Sequence, residues 1–211
     1  FSVPASLGYS GYYANVGDLT NSGIEFELSG DIIRTKNVTW NLSLNATHVK
    51  NKVTSLADEF KTQNIEGYNG YIDGNYFVAE DLPMYTYYIR DYAGVGENGE
   101  SLWYKDETDE NGNVTGRTTT SVYTEGTRYL QEDTMPDLYG GFGTTFQFYG
   151  FDVSAQFTYQ LGGKIYDRSY LDLMHYGDTI GVNWHKDILN AWTPNNTNTD
   201  VPRLNASDVS Y

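Results

Sequence analysis

From Phe151 to Leu161 the chain alternates apolar and polar residues for eleven positions without a slip. Phe151, Val153, Ala155, Phe157, Tyr159 and Leu161 fall on one face of a strand and Asp152, Ser154, Gln156, Thr158 and Gln160 on the other, because successive side chains point to opposite sides. Tyr149-Gly150 reverses the chain just before it, and Phe142, Phe146 and Phe148 share a face on the near side, opposed by Gly143, Thr145 and Gln147. This predicts a hairpin with one apolar face. Strands of soluble proteins usually end after about 5–6 residues, whereas a tilted strand crossing a bilayer needs about 9–11. The length of the alternation points to a membrane.

The pattern recurs near the start. Ile24, Phe26, Leu28 and Ile32 alternate with Glu25, Glu27, Ser29 and Asp31, Arg34 to Asn37 make a polar turn, and Val38, Trp40, Leu42, Leu44 and Ala46 then alternate with Thr39, Asn41, Ser43, Asn45 and Thr47. A mean hydropathy of −0.55 does not oppose a membrane reading, since a barrel keeps its lumen and loops polar and only alternate strand residues need be apolar. No run of about 18 apolar residues occurs, so any crossing must use strands.

The formal charge of −15, with thirteen Lys and Arg in 211 residues, excludes a phosphate-binding surface for nucleic acid. Cysteine is absent, which removes disulfides and thiolate metal sites. Twenty Tyr and four Trp suit either the interfacial girdles of a barrel or platforms that stack on sugars.

Between the hairpins, Met84 to Tyr92 and a segment starting at Leu102 to Lys105 read as two further strands around a turn at 94–99. Six strands are thus expected, with short links at 34–37, 94–99 and 149–150 alternating with long ones at about 54–83, 106–137 and 164–211. Short turns on one side and long loops on the other characterise outer-membrane barrels; the Greek-key crossings of a sandwich do not sort loops this way. Bacterial barrels start at eight strands, and an open sheet edge is not viable in lipid. Together with a start at Phe1 and no secretory leader, this leads us to expect a piece of a longer protein.

Four stretches resemble the SusC/RagA family of TonB-dependent outer-membrane transporters. They are Asn15-Val16-Gly17-Asp18-Leu19-Thr20-Asn21-Ser22-Gly23-Ile24-Glu25; Trp40-Asn41-Leu42 running on to Lys50-Asn51-Lys52-Val53; Gly140-Gly141-Phe142 followed by Tyr159-Gln160-Leu161-Gly162-Gly163-Lys164-Ile165-Tyr166-Asp167; and Trp192-Thr193-Pro194-Asn195-Asn196-Thr197-Asn198-Thr199-Asp200-Val201-Pro202-Arg203. The resemblance implies an all-β, antiparallel up-and-down meander that is part of a large transmembrane barrel of the 22-stranded type, incomplete here, with long extracellular loops carrying short helices. Residues 1–211 would be a single partial domain from its C-terminal portion, without plug, earlier strands or last strands. It also implies uptake of oligosaccharide or peptide across the outer membrane of a Gram-negative bacterium, a SusD-like surface lipoprotein as partner, and TonB machinery acting through the plug. Outer-membrane lipid would cover the apolar face.

On this reading Glu25, Glu27, Asp31, Asn41, Asn45, Gln156 and Gln160 face the lumen. Glu25 and Glu27, about 7 Å apart along a strand, match carboxylate separations used in glycoside hydrolysis, yet nothing nearby supplies the contrasting environments an acid and a base require; a hydrated wall is the expectation. Glu107 to Asn113 imitates a calcium loop but places Glu107 at the first ligand position and Thr118 at the twelfth, so a solvated acidic loop is expected. His48, His175 and His185 lack metal-ligand spacing. Six Asn-x-Ser/Thr triplets, at Asn37, Asn41, Asn45, Asn113, Asn195 and Asn205, follow from strand polarity and carry no weight as glycosylation sites. No catalytic residue, cofactor or metal is expected. Short helices are predicted within Tyr166–Tyr176 and His185–Trp192, and Trp184, Trp192, Tyr170, Tyr176 and Asp187 are the candidates for substrate or partner contact, against the alternative that the loop merely packs on itself. Pro202 and Arg203 are expected to fix the loop's course. The competing class is a soluble, secreted β-sandwich that binds carbohydrate, in which the face of Trp40, Phe146, Phe148 and Phe157 would be buried by a second sheet.

Overall fold

A computed structural model describes residues 15–177 and 180–204; the triplet at Asn205 lies outside them. Its longest elements are β1 (Gly17–Arg34), β2 (Val38–Leu56), β11 (Leu138–Phe148) and β12 (Phe151–Leu161), which form one antiparallel sheet in the order β1-β2-β11-β12. The register carries each parity across all four strands. Leu28, Leu44, Phe142 and Phe157 line up as one row, and Glu27, Asn45, Gly141 and Thr158 as the next. A one-residue slip would put apolar and polar side chains on the same face, so the two-residue period and the register enforce each other.

Two local features adjust the expected pattern. A bulge between Asp31 and Ile33 takes Ile32 out of register, and Ile33 rather than Ile32 stands opposite Trp40. Tyr149 and Gly150 both adopt positive φ, +46° and +86°, as a two-residue turn needs if its twist is to match that of the strands it joins. The tryptophan and the tyrosine of the apolar face both satisfy their polar atoms within the sheet. Trp40 Nε1 donates to Thr144 Oγ1 at 2.9 Å, and Tyr159, paired with Gly140, donates its hydroxyl to the Asn45 carbonyl at 2.8 Å.

No second sheet covers the apolar face among the described residues. Phe157 is 51% exposed and Phe142, stacked on it at 4.8 Å, 48%. The sandwich alternative required this face to be buried, and the described residues leave it exposed.

The six-strand count is also corrected. Strands exist where the middle of the chain suggested them, β6 (Thr86–Arg90), β7 (Tyr92–Val95) and β8 (Ser101–Thr108), but none joins the long sheet. β2 pairs directly with β11 from Val38↔Phe148 to Thr47↔Tyr139. The reason is local. Thr86 and Tyr87 are both buried, which breaks the two-faced alternation, and β6 and β7 have only five and four residues. Residues 57–137 are therefore one excursion from the long-loop end of the sheet.

The chain forms two compact units, one of residues 1–87 and 132–164, the other of 88–131 and 165–211. In the first, a 3-10 turn (Asp58–Phe60) and the meander β3 (Gln63–Ile65), β4 (Tyr68–Asp73), β5 (Tyr76–Ala79) fold back on the end of β2. Val53, Leu56 and Val78 make a small core there, with Tyr71 and Met84 packed against it. Val53 N–H donates to Leu82 O and Asp81 N–H to Val53 O, both at 2.9 Å, while Asn51 Oδ1 accepts from Met84 N–H. Glu80 accepts from Leu56 N–H at 2.9 Å and from Lys61 at 3.1 Å.

In the second unit β7, β8 and β9 (Val114–Thr120) form a three-stranded meander, followed by β10 (Arg128–Asp133), whose Arg128 bonds the Tyr88 carbonyl of β6. The Arg117 guanidinium lies 3.8 Å above the Tyr104 ring and 4.4 Å above that of Tyr129 while pairing with Asp91 at 2.8 Å. In the calcium-like loop, Asp109 Oδ1 accepts the Asn111 and Asn113 N–H groups and Oδ2 the Asn113 amide, so its carboxylate caps the turn.

The hydrogen bond from Leu56 N–H, then that from Lys61, holds the Glu80 carboxyl below its usual range. A lowered carboxylate pKa contributes stability that is present above the unfolded value, about 4.3, and is lost as pH falls through the folded one. The protection factor of the Leu56 amide, its exchange rate relative to the unstructured chain at the same pH, should accordingly fall on acidification through that window. In Glu80→Ala the protection factor should already be low at neutral pH and should not change through it.

Candidate functional site

Every residue expected on the polar strand face lies on it. Glu25 pairs with Thr47, which pairs with Tyr139, opposite Gln160; Glu27 and Asn45 share the next row, Gln156 stands across from Gly143, and Asp31 pairs with Asn41. Asn41 donates to Asp31 at 3.0 Å, and Arg34 pairs with the same carboxylate at 3.0 Å. Glu25 and Glu27 are both exposed on the sheet.

The loop candidates fall into two groups, both in the second unit. Helix α1 (Arg168–Leu173) starts where the Asp167 side chain accepts from Tyr170 N–H at 2.8 Å, and a 3-10 turn (Lys186–Asn190) starts where His185 Nδ1 accepts from Asp187 N–H at 3.2 Å. These caps bring Tyr170, His185 and Asp187 together: the tyrosine ring meets His185 edge-on at 5.0 Å and its hydroxyl donates to Asp187 at 3.3 Å. Burial, then the Asp187 charge, pushes the Tyr170 hydroxyl pKa up. Trp184 stacks on His175 at 5.2 Å, donates Nε1–H to the His175 carbonyl at 2.8 Å and remains 47% exposed.

Trp192 and Tyr176 belong instead to the β7–β8 turn. Gly99 has φ of +84°, and a Cβ there would stand 2.6 Å from the Trp192 ring, so only glycine fits on both counts. Arg203 N–H donates to Gly99 O at 2.8 Å, Trp192 N–H to Val201 O at 2.9 Å, and the Tyr92 hydroxyl to Asp200 O at 3.0 Å. Thr193 and Asn196 exchange backbone hydrogen bonds, and the Asn196 and Thr199 side chains both bond Asn190 O. The Trp192 to Arg203 motif is thus a closed loop clasped onto one turn, with the backbone N–H of Arg203 among its fastenings.

Beside it opens a cavity of about 390 Å³ lined by Asn98, Glu100, Ser101, Ser121, Tyr176 and Arg203, with the Tyr176 and Ser101 hydroxyls 3.0 Å apart. Val122 and Pro202 complete the lining, so the recess is polar and apolar in about equal measure. Sequence reasoning missed Asn98 because it lies in the turn at 94–99, valued only as a connection, and Glu100 and Ser101 because they fall between that turn and the strand expected from Leu102. The signal was Gly99 within the turn. Among the described residues no cluster of three or more His, Asp and Glu could hold a metal.

A length of barrel wall, with short turns at one end and elaborate excursions at the other, is the class this fold defines. No family model matches the chain. It is 28% identical to TonB-dependent receptor P3 of Formosa agariphila over 95% of the chain, 25% identical to receptor P26 of the same organism over 99%, and 28% identical to TonB-dependent receptor SusC of Bacteroides thetaiotaomicron over 72%. In fold it matches the RagAB peptide transporter with a TM-score of 0.72 at 27% identity over 96% of the chain. It spans about a fifth of the length of these relatives: 20% of P3, 21% of P26, 15% of SusC and 22% of the RagAB chain. The SusC/RagA resemblance read from four motifs therefore holds in sequence and in fold, and the open four-stranded sheet is similar to a fragment of such a barrel.

Gly99→Ala should release the clasp, with the strain of a left-handed alanine added to the clash. Trp192 emission should shift to the red and amide exchange across 192–203 accelerate, while β1, β2, β11 and β12 keep their protection.

Proposed function

We propose that this chain is a single partial domain, a stretch of the barrel wall of an outer-membrane nutrient importer of a Gram-negative bacterium, whose plug and remaining strands belong to the rest of the parent protein. The observation that carries this reading is the extent of the bare apolar face. On β2 it runs from Val38 to His48, ten residue steps at about 3.4 Å, or about 34 Å along the strand; tilted by about 45° this spans about 24 Å, against about 25 Å for the apolar band of an outer-membrane barrel. The band ends in aromatics at the short turns, where Tyr149 is 76% and Phe151 66% exposed. Beyond its other end the same face turns polar, with Lys50 opposite Ser22 and Lys52 opposite Thr20.

The opposite face, with Glu25, Glu27, Asp31, Asn41, Asn45, Gln156 and Gln160, lines the lumen on this proposal. TonB machinery drives import through the plug, and a SusD-like lipoprotein covers the loop end. Trp184, Tyr170 and Asp187, together with Tyr176 and Trp192 around the recess, are the residues we assign to substrate or partner contact. The cargo is an oligosaccharide or a peptide; the RagAB likeness favours peptide and the SusC likeness leaves sugar open. The protein carries out no covalent chemistry. Growth of a parent-gene deletion strain on a panel of single oligosaccharides and peptides tests the import claim. One nutrient should fail to support the deletion and recover on complementation, whereas equal growth on every member would contradict it.

The two faces separate in a paired substitution of the full-length parent. Phe142→Arg should cost about 2–4 kcal/mol of stability in bilayers, and Asn45→Arg little. Equal losses by reversible unfolding from vesicles would refute the assignment of faces.

A further inference from the structure

Four strands of the two shorter sheets, β3, β7, β9 and β10, are edges among the described residues. Natural sheets guard their edges by keeping them short, bulged or charged, because a row of unpaired N–H and C=O groups is a template for another chain. β3 has three residues, β7 has four with a register shift between Tyr92 and Gly94, and β10 carries Arg128, Glu132 and Asp133 among its six. From Gly116 to Thr120, β9 lacks these guards. The strand reads Val-Thr-Gly-Arg-Thr-Thr-Thr, without Lys, Asp, Glu or Pro, and its register shift falls before Gly116. Its one charge is engaged elsewhere, in the stack of the Arg117 guanidinium on the Tyr104 and Tyr129 rings and its pair with Asp91.

The hydrogen bonds of β8 decide which groups of β9 face outward. The N–H and C=O of one strand residue point to the same side, and successive residues alternate. Tyr104 N–H donates to Asp91 O at 3.1 Å, Tyr104 O accepts from Thr127 N–H at 2.9 Å, and Asp106 N–H donates to Thr127 Oγ1 at 2.8 Å. Tyr104 and Asp106 therefore turn their main-chain groups away from β9, and Trp103, Lys105 and Glu107 bond to it. Thr119 stands opposite Tyr104 and Arg117 opposite Asp106, so the N–H and C=O groups of Arg117 and Thr119 point away from β8, about 7 Å apart. Arg117, Thr118 and Thr119 are all exposed. At its far end β9 runs directly into Ser121 and Val122, which line the recess.

We propose that β9 is a docking edge for peptide cargo. An extended peptide adds as a further strand along Gly116 to Thr120, exchanging hydrogen bonds with the N–H and C=O groups of Arg117 and Thr119, and places a side chain in the recess beyond Ser121. The site rests on the import reading above and goes beyond it by choosing peptide over sugar and naming the main-chain groups that hold it. A sugar offers no row of donors and acceptors at strand spacing to match this edge. Main-chain pairing of this kind is tolerant of sequence, and the recess supplies the selection. Five residues at about 3.4 Å give about 17 Å of edge.

The test uses the full-length parent protein in nanodiscs and an equimolar pool of synthetic hexapeptides blocked at both ends, with retained peptide counted by mass spectrometry. Wild type should retain peptides, and at least tenfold less of the same pool N-methylated at every internal amide. Thr119→Pro removes an outward N–H and sets a ring on the edge without touching the β8 ladder, and should weaken retention about tenfold. Thr119→Ala keeps the main chain and should retain peptide as wild type does. Unchanged emission of Trp103, which stands opposite Thr120, reports an intact β8 in both variants. Equal retention by Thr119→Pro, equal retention of the methylated pool, or no retention by wild type would each overturn the proposal. So would dimerisation of wild type that Thr119→Pro abolishes, which gives the edge to a second copy. The methylated pool decides the matter on wild type alone where Thr119→Pro does not fold. A deletion strain that needs the parent for growth on peptides, yet is complemented fully by Thr119→Pro, sinks this site alone, whereas equal growth on every nutrient sinks the import reading with it.

Discussion

Everything in the wall depends on one constraint: side chains of a strand alternate, and the hydrogen-bonded register of β1, β2, β11 and β12 keeps that alternation in phase over four strands. A sheet in phase has one greasy and one wet surface. A soluble protein would bury the greasy one, and here nothing described covers it. The indole of Trp40 and the hydroxyl of Tyr159 find partners inside the sheet, and past the register shift at Ile32 an apolar residue, Ile33, again stands opposite Trp40.

The two ends of the wall do different work. At one end the chain turns back within a few residues, at Thr35 to Asn37 and at Tyr149-Gly150. After the long strands the chain builds more: Val78 joins Val53 and Leu56 of β2 in a small core, and the second unit holds the Arg117 guanidinium between two tyrosines and the Trp192 loop on Gly99. Such self-supporting excursions can vary without disturbing the wall, because they hang from it at a few points such as the paired hydrogen bonds at Val53.

The wall was legible in the sequence because its signal is long, periodic and uninterrupted. Phe151 to Leu161 and Val38 to Ala46 could be assigned to faces residue by residue, and the polar row of Glu25 to Gln160 lies where alternation put it. The excursions were not legible in the same way. Thr86 and Tyr87 are buried together, and β6 was expected as a wall strand although its five residues fall short of a bilayer crossing. The Trp192 to Arg203 motif was visible as a motif, but its seat was not, since the glycine that receives it lies some ninety residues earlier in a turn with no periodicity. Likewise Trp184 and Trp192 read alike as exposed aromatics, yet one caps a histidine with a face left open and the other is the clasp itself.

The central claim, that one face of this sheet meets lipid and the other water, is tested most directly by spin labels placed singly along Phe151 to Leu161 of the full-length protein in bilayers. Collision rates with oxygen, which concentrates in lipid, and with a water-soluble nickel complex should each oscillate with a period of two and in opposite phase, oxygen highest at 153, 155, 157 and 159. Oscillation in the same phase, or none, would contradict the account.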